Sequence, residues 1–446
     1  MRSTLFIWSL LVAGSYHVQA RQQQQQVNWK TSSDDQRIEH ARYLLSLSPL
    51  LDTHVDTPQV MRVLSDHPMD MIPQLGTGLA GHFDIPRAKQ GGVGGVFFTV
   101  WTPCQDQLGV DIGPDYLKPD NTVRDTYESI DLIRSMIDAH QDTLKFATDA
   151  QGIRDASKQK KIAALLGMEG SHMLGGSLST IRNLAALGVR YLTLTHVCHS
   201  PFASSAGGGA GTDGSFIPPS SLSPSNGLTP MGVELVKELN RLGVMVDLSH
   251  TSDGTMSEAL DTSEAPVIFS HSGARAIHNH PRNVPDHILD RMGPGKNEGI
   301  ILSVLYKHFI DPNNATIPRV VDHVEYIAQR TSKKHVGLSS DFDGMSEVVE
   351  GMEDTSKWPY LVAEFLRRGW TDEEILDLTG RNLLRVMEDV EQVGKKLRSE
   401  RKPSTAIYDK RTDLPGTNWG GPHGAYLPMD VKAIVDKRVA RLADEL

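Results

Sequence analysis

Eight short apolar, β-branched runs alternate along this chain with stretches of helical spacing, and that alternation limits its fold more than any other feature. The runs fall at residues 50–55, 93–100, 162–168, 190–195, 244–248, 266–270, 300–305 and 336–340. The helical candidates between them include 123–139, 178–186, 231–242, 253–260 and 320–330. Near-continuous apolar strands separated by helices imply a parallel sheet covered on its faces. Eight such units fit an α/β fold, the (β/α)8 TIM barrel, for which about 250 residues or more in one domain is ordinary. The length of 446 residues alone would argue for about three domains, and the alternation overrides it. The alternative is an open doubly wound sheet. No GxGxxG follows the first strand, which weakens its dinucleotide-binding version.

Composition narrows the class. Hydrophobic residues make up 39% and charged residues 22% of the chain, the balance of a folded globular protein with a large core. A net charge of -10 argues against a nonspecific nucleic-acid binder or a polybasic membrane binder. Two cysteines, Cys104 and Cys198, exclude a disulfide-dense scaffold and a Cys-rich zinc module.

The N-terminus reads as a secretory signal peptide over residues 1–20. Arg2 precedes a short apolar run, and Val18-Gln19-Ala20 resembles a cleavage site. The run is too short to span a bilayer, and the charged C-terminal end carries no hydrophobic tail, so no membrane anchor is expected. The expected organisation is then an N-terminal segment at 21–48, partly disordered from its glutamine run at 22–26, a catalytic barrel at 49–400 and a C-terminal extension at 401–446. The expected location is secreted, or in the lumen of the secretory pathway or vacuole. In an oxidising compartment Cys104 and Cys198 suggest one disulfide, with two unpaired thiols as the alternative. Asn314-Ala315-Thr316 is a candidate N-glycosylation sequon.

The polar residues at the strand ends carry the chemistry. The first strand ends in His54-Val55-Asp56, the third at Glu169, the fourth at His196, the fifth at His250 and the sixth at His271. The seventh ends near Tyr306 and the eighth near Asp341. One histidine closing a strand is ordinarily structural. Four of them converging with carboxylates on the C-terminal rim, where barrel enzymes place their active sites, point to function. His54 and Asp56, two apart on a strand, point to one side. Imidazole with carboxylate suits zinc and other borderline metals. His250 and His271 add two imidazoles from adjacent strands, and Glu169 is placed to bridge two ions that share a hydroxide. Asp341 is then a candidate base and His196 a donor to a developing oxyanion. A mononuclear site using fewer of these residues stays open. Arg282 offers a bidentate grip on a substrate carboxylate, with a surface ion pair as the bland alternative.

His54-Val55-Asp56, Gly167-Met168-Glu169-Gly170, Leu194-Thr195-His196, Asp247-Leu248-Ser249-His250, Phe269-Ser270-His271-Ser272, Arg282-Asn283-Val284-Pro285 and Asp341-Phe342-Asp343-Gly344, in this order, resemble the successive motifs of the membrane (renal-type) dipeptidase family. The resemblance implies a binuclear zinc dipeptidase on a barrel of the amidohydrolase type, acting on L-dipeptides as a homodimer with two Zn2+ per subunit. Carried over, His54 and Asp56 would hold one zinc, His250 and His271 the other, with Glu169 between them. His196 would stabilise the tetrahedral intermediate, Asp341 would shuttle the proton, Arg282 would hold the substrate carboxylate, and Tyr306 would lie near the substrate. Cys104 and Cys198 resemble the family's intrachain disulfide pair. The family often carries an aromatic residue soon after the first motif, whereas Thr57-Pro58-Gln59 stands here, which leaves side-chain preference open. The Gly-, Ser- and Pro-rich stretch at 203–230 would lie over the rim as a substrate wall or as an excursion without function. The competing functions are a metal-dependent hydrolase of another carboxylate-bearing amide or ester, and a non-catalytic binding protein on the same scaffold.

Overall fold

The computed structural model describes residues 28–48, 50–104, 122–207, 209–210, 216–217, 226–408 and 427–444. The signal-peptide candidate and the glutamine run lie outside them, as does part of the 203–230 stretch. The strands in chain order are β1 (Leu50–Val55), β2 (Val93–Val100), β3 (Leu144–Phe146), β4 (Ile162–Glu169), β5 (Val189–Thr193), β6 (Gly209–Ala210), β7 (Phe216–Ile217), β8 (Met245–Asp247), β9 (Ile268–Ser272), β10 (Ile300–Ser303) and β11 (Val336–Leu338). Eight of them, β1-β2-β4-β5-β8-β9-β10-β11, pair side by side, each parallel to its neighbour. The ring closes at the seam. There Val55 bridges Phe342, the Asp56 N–H donates to Phe342 O at 2.8 Å, and the Asp341 N–H donates to His54 O at 3.1 Å. Helices cover the outside, which makes the (β/α)8 TIM barrel expected from the alternation.

The structure adds one strand, β3, to the barrel sheet. β3 pairs with the first residues of β4, from Leu144 opposite Ile162 to Phe146 opposite Ala164. The reason is a mismatch in strand length. β5 begins pairing with β4 only at Leu166, so the start of β4 has a free edge on that side, and β3 satisfies its hydrogen bonds. Within 203–230 the described residues include the antiparallel pair β6–β7, Gly209 opposite Ile217.

Side-chain alternation decides what faces where. Along β4, Ile162, Ala164, Leu166 and Met168 join the core beneath the helices, while Ala163 and Leu165 join the barrel interior. With period two, Gly167 and Glu169 fall on the interior face. The lower interior is filled by Leu51, Phe97, Tyr191, Met245, Ile268 and Leu302, and the helix Asn382–Glu400 packs its Leu383, Val386, Met387 and Val390 against them. Outside the ring, the helix Pro230–Leu242 starts on a Thr229 cap to the Gly232 N–H and stops at Gly243 in the left-handed conformation. Ahead of the barrel, the helix Asp34–Leu47 opens on a Ser33–Gln36 capping box and packs on the helix Trp358–Arg368. No helix among the described residues is long and apolar enough to cross a membrane.

Gly167 is where the interior packing is tightest. A Cβ there would lie 2.2 Å from Tyr191 Cζ and 2.3 Å from its hydroxyl, and Tyr191 is fully buried. Gly167→Ala is therefore expected to cost about 1–3 kcal/mol through overpacking, read as a lower urea midpoint with unchanged slope. Undiminished stability would show that the Tyr191 ring is free to move aside.

Candidate active site

Strand parity and the strand ends bring seven of the expected residues to one rim. Glu169 is the last residue of β4, and its Oε1 lies 3.0 Å from His250 Nε2, 3.3 Å from His271 Nε2, 3.4 Å from His54 Nε2 and 3.8 Å from His196 Nε2. Asp56 sits at the N-cap of the helix Thr57–Leu64 without spending its carboxylate on the helix. Its Oδ2 instead lies 3.3 Å from His54 Nε2. Asp341 Oδ1 approaches the same nitrogen at 3.9 Å.

All of these groups are buried or nearly so, and burial sets their protonation. It pushes the imidazoles of His196, His250 and His271 well below their ordinary range, because water no longer stabilises the cation. It pushes the Asp341 carboxyl well up, and the Glu169 carboxyl up against the pull of His54. Neutral imidazoles offer lone pairs. The Nε2 atoms of His250 and His271 face each other at 2.9 Å, and His54 Nε2 is buried without a hydrogen bond.

A second layer turns those lone pairs inward. His54 Nδ1 lies 2.9 Å from the Tyr191 hydroxyl, which donates to Thr53 O at 3.0 Å. That hydroxyl must therefore accept from His54 Nδ1–H, so Nε2 carries the lone pair of the neutral ring; against the pull of burial, Tyr191, Glu169 and Asp56 hold this imidazole well above its ordinary range. His271 Nδ1 lies 2.8 Å from Ser270 Oγ, which donates to Asp247 Oδ2 at 2.6 Å, so its Nε2 likewise carries the lone pair. Three groupings, each with its ligand atoms within 4.8 Å of one another, result: His54, Asp56 and Glu169; Glu169, His196 and His250; His54, His271 and Asp341. Buried lone pairs facing carboxylates without donors between them are the donor set of a divalent cation, and Glu169 belongs to two of the groupings.

The segment carrying Asp341 is held in an unfavourable backbone. Asp341 and Asp343 have φ of 65° and 70°, and His250 has φ of 65°, conformations that non-glycine residues adopt at a cost of about 1–3 kcal/mol each. The compensation is local. Thr57 Oγ1 donates to Asp343 Oδ2 at 2.6 Å, the His82 N–H donates to the other carboxylate oxygen, and the Asp343 N–H donates to His82 Nδ1 at 3.0 Å. Gly344 passes so close that a Cβ would lie 2.3 Å from Asp56 Oδ2.

A cavity of about 400 Å³ opens above this floor, lined by Asp56, Glu169, His196, His250 and Asp341, with Gln59, Trp101, Tyr306, Phe309 and Met345 in its walls. Arg282 is buried behind Phe309, its guanidinium carbon 4.9 Å from that ring's centroid. Its Nη2 makes only a long contact, 3.5 Å, to His271 O, and Nε and Nη1 have no hydrogen-bond partner. Burial lowers its pKa to about 10, so it remains a cation at neutral pH, next to a site with unspent donors.

Cys104 and Cys198 are joined in a disulfide, and Cys104 Sγ lies 3.9 Å from His196 Nδ1. Asn314 is exposed in the loop before the helix Ile317–Arg330. Tyr191 sits mid-strand as a core residue, and no sequence pattern marks its role. Asp247 and Asp343 lay inside quoted motifs, but their second-layer roles depend on contacts between distant strands and loops.

Comparison with known proteins agrees with this geometry. The family described as membrane dipeptidase (peptidase family M19) matches residues 38–401. Dipeptidase verJ of Clonostachys rogersoniana is 37% identical over 367 residues, 82% of this chain and 90% of that protein. In fold, the probable dipeptidase PvdM from Pseudomonas aeruginosa superposes with a TM-score of 0.68 at 21% identity, over 80% of this chain and 99% of that one. A metallo peptidase from Rhodobacter sphaeroides, liganded with a phosphinate mimic of the dipeptide L-Ala-D-Ala, gives 0.66 at 24% identity, over 77% and 99%. The chain belongs to the membrane dipeptidase family, peptidase family M19, and is a metallo-dipeptidase on a (β/α)8 barrel.

Proposed function

We propose that the chain is a zinc-dependent dipeptidase that hydrolyses L-dipeptides with two Zn2+ per subunit. The observation that carries this reading is the buried Glu169 carboxylate at the centre of the imidazole Nε2 atoms, with Asp56 beside His54. His54 and Asp56 would hold one ion, His250 and His271 the other, with Glu169 shared. Bound there, such ions would supply a water of lowered pKa and polarisation of the scissile carbonyl.

The chain's own residues supply the rest. Arg282 grips the free carboxylate of the dipeptide through its unpartnered Nε and Nη1 and so sets the scissile bond one residue from that end. His196, neutral because of burial, donates a hydrogen bond to the oxygen that becomes negative as the carbonyl turns tetrahedral. Asp341, whose carboxyl is pushed well up by burial, takes the proton from the attacking water and passes it to the leaving amine. Tyr306 forms part of the wall against which the substrate rests. The signal-like N-terminus, the disulfide and the exposed Asn314 sequon support a secreted or luminal glycoprotein, and family resemblance supports a homodimer.

Metal analysis of the purified protein, followed by a dipeptide panel with and without chelator, tests the reading. Turnover that is lost on chelation and restored by zinc is expected; stoichiometric zinc without dipeptide turnover overturns it. Asp341→Asn should keep both ions while kcat falls about 10²- to 10⁴-fold, and loss of metal in that variant would make Asp341 a ligand instead. Arg282→Ala should lower kcat/KM about 10- to 100-fold for free dipeptides. The same variant should change little with the C-terminal amides, which have no carboxylate to grip.

A further inference from the structure

The cavity over the Glu169 floor has two unlike ends. At one, Tyr306 and Phe309 follow β10, and Phe309 covers the Arg282 guanidinium. At the other stands Trp101, just after β2, with its ring edge-on to His196 at 5.6 Å and 73°. Gln59 stands beside it, in the helix that follows β1, with Nε2 donating to Trp101 O at 3.0 Å. The strand order puts β2 four places from β9 in the ring of eight. Trp101 therefore stands across the ring from β9, from which the Arg282 segment leaves.

We infer that Trp101 and Gln59 form the subsite for the side chain of the substrate's first residue, and that Gln59 sets the size it accepts. This rests on the dipeptidase reading with Arg282 on the terminal carboxylate. A dipeptide held at that carboxylate and bent over the Glu169 floor has one direction left for its first residue, away from Arg282. Two extended residues reach about 7 Å, which carries the first Cα substituent away from Arg282 toward the far wall. That wall is deformable on one side only. Trp101 is fixed by its contact with His196 and by the nearby disulfide at Cys104. Gln59 is a flexible side chain held by a single hydrogen bond to the Trp101 backbone, with its amide oxygen and second N–H left to meet a ligand. The class of substrate that fits is an L-dipeptide whose first side chain is long or polar, such as glutamine or methionine, rather than one defined by its second residue.

Two matched series test it: Ala-Gly, Met-Gly, Gln-Gly and Phe-Gly, which vary the first residue, and Ala-Gly, Ala-Met, Ala-Gln and Ala-Phe, which vary the second. In Gln59→Trp, kcat/KM for Met-Gly and Gln-Gly relative to Ala-Gly should fall about tenfold or more, while the ratios within the second series hold. Gln59→Ala should shift the first-series ratios the other way, toward Phe-Gly, and carries the test if the tryptophan variant does not fold. A uniform change across both series, or one that follows the second residue, overturns the inference and leaves the dipeptidase reading intact. Failure of the native enzyme on every dipeptide overturns both.

Discussion

A carboxylate buried among imidazoles is the constraint on which the rest of this structure depends. Glu169 is nearly inaccessible to water, and a buried anion is tolerated only where its oxygens meet opposite charge or donors. Around Glu169 Oε1 the neighbours within 4 Å that make salt-bridge contact are imidazole nitrogens, and burial holds three of the four rings neutral. The fourth, His54, is held well above its ordinary range against the pull of burial, and three carboxylates share that one imidazole, so a cation and the rim complete one another. The second layer is built around this complementarity. Tyr191 and the Ser270–Asp247 pair do not approach the reacting centre, yet by taking the Nδ1 protons they decide that Nε2 of His54 and His271 points its lone pair into it.

That demand reaches down into the barrel. Tyr191 reaches His54 from β5 only because Gly167 on β4 has no side chain in its path. Asp247 accepts four hydrogen bonds, from the N–H groups of Ser249 and Ser270 and the hydroxyls of Thr193 and Ser270. It thereby ties β5, β8 and β9 together just beneath the rim. The opposite seam depends on Asp341 and Asp343, whose left-handed backbones are held by the reciprocal bonds between Asp343 and His82. Strain of this kind persists where the surroundings over-determine it, and here it aims Asp341 at His54 while freeing the Asp56 carboxylate.

The layout of the barrel and its rim was legible in the sequence because both follow from periodicity. Buried parallel strands read as apolar runs, and a polar residue that ends such a run stands where the interior opens to solvent, as His54, Glu169, His250 and His271 do. β3 escaped because three residues, of which only Leu144 is buried, carry too little pattern to distinguish from a loop. Tyr191 escaped for the opposite reason. An aromatic residue inside a buried strand is the commonest of core residues, and only the distance to His54 reveals its task. The spacing of Arg282 in the chain announced a cation but not its burial behind Phe309, which depends on how the segments after β9 and β10 pack together.

The disulfide connects the floor with the walls. It joins the segment after β2 to the segment after β5 across 94 residues of chain. Closing a loop of that length constrains the unfolded chain by about 4–5 kcal/mol in the entropic account. Its position adds a local effect. Cys104 follows Trp101 by three residues and Cys198 follows His196 by two, so one covalent bond holds the aromatic wall and the His196 imidazole at a set separation. Gln59 and the segments after β10 and β11 have no such tie. A site built this way keeps its chemistry rigid on the strands and the cross-linked loops, and leaves variation in substrate to the side chains that are held only by hydrogen bonds.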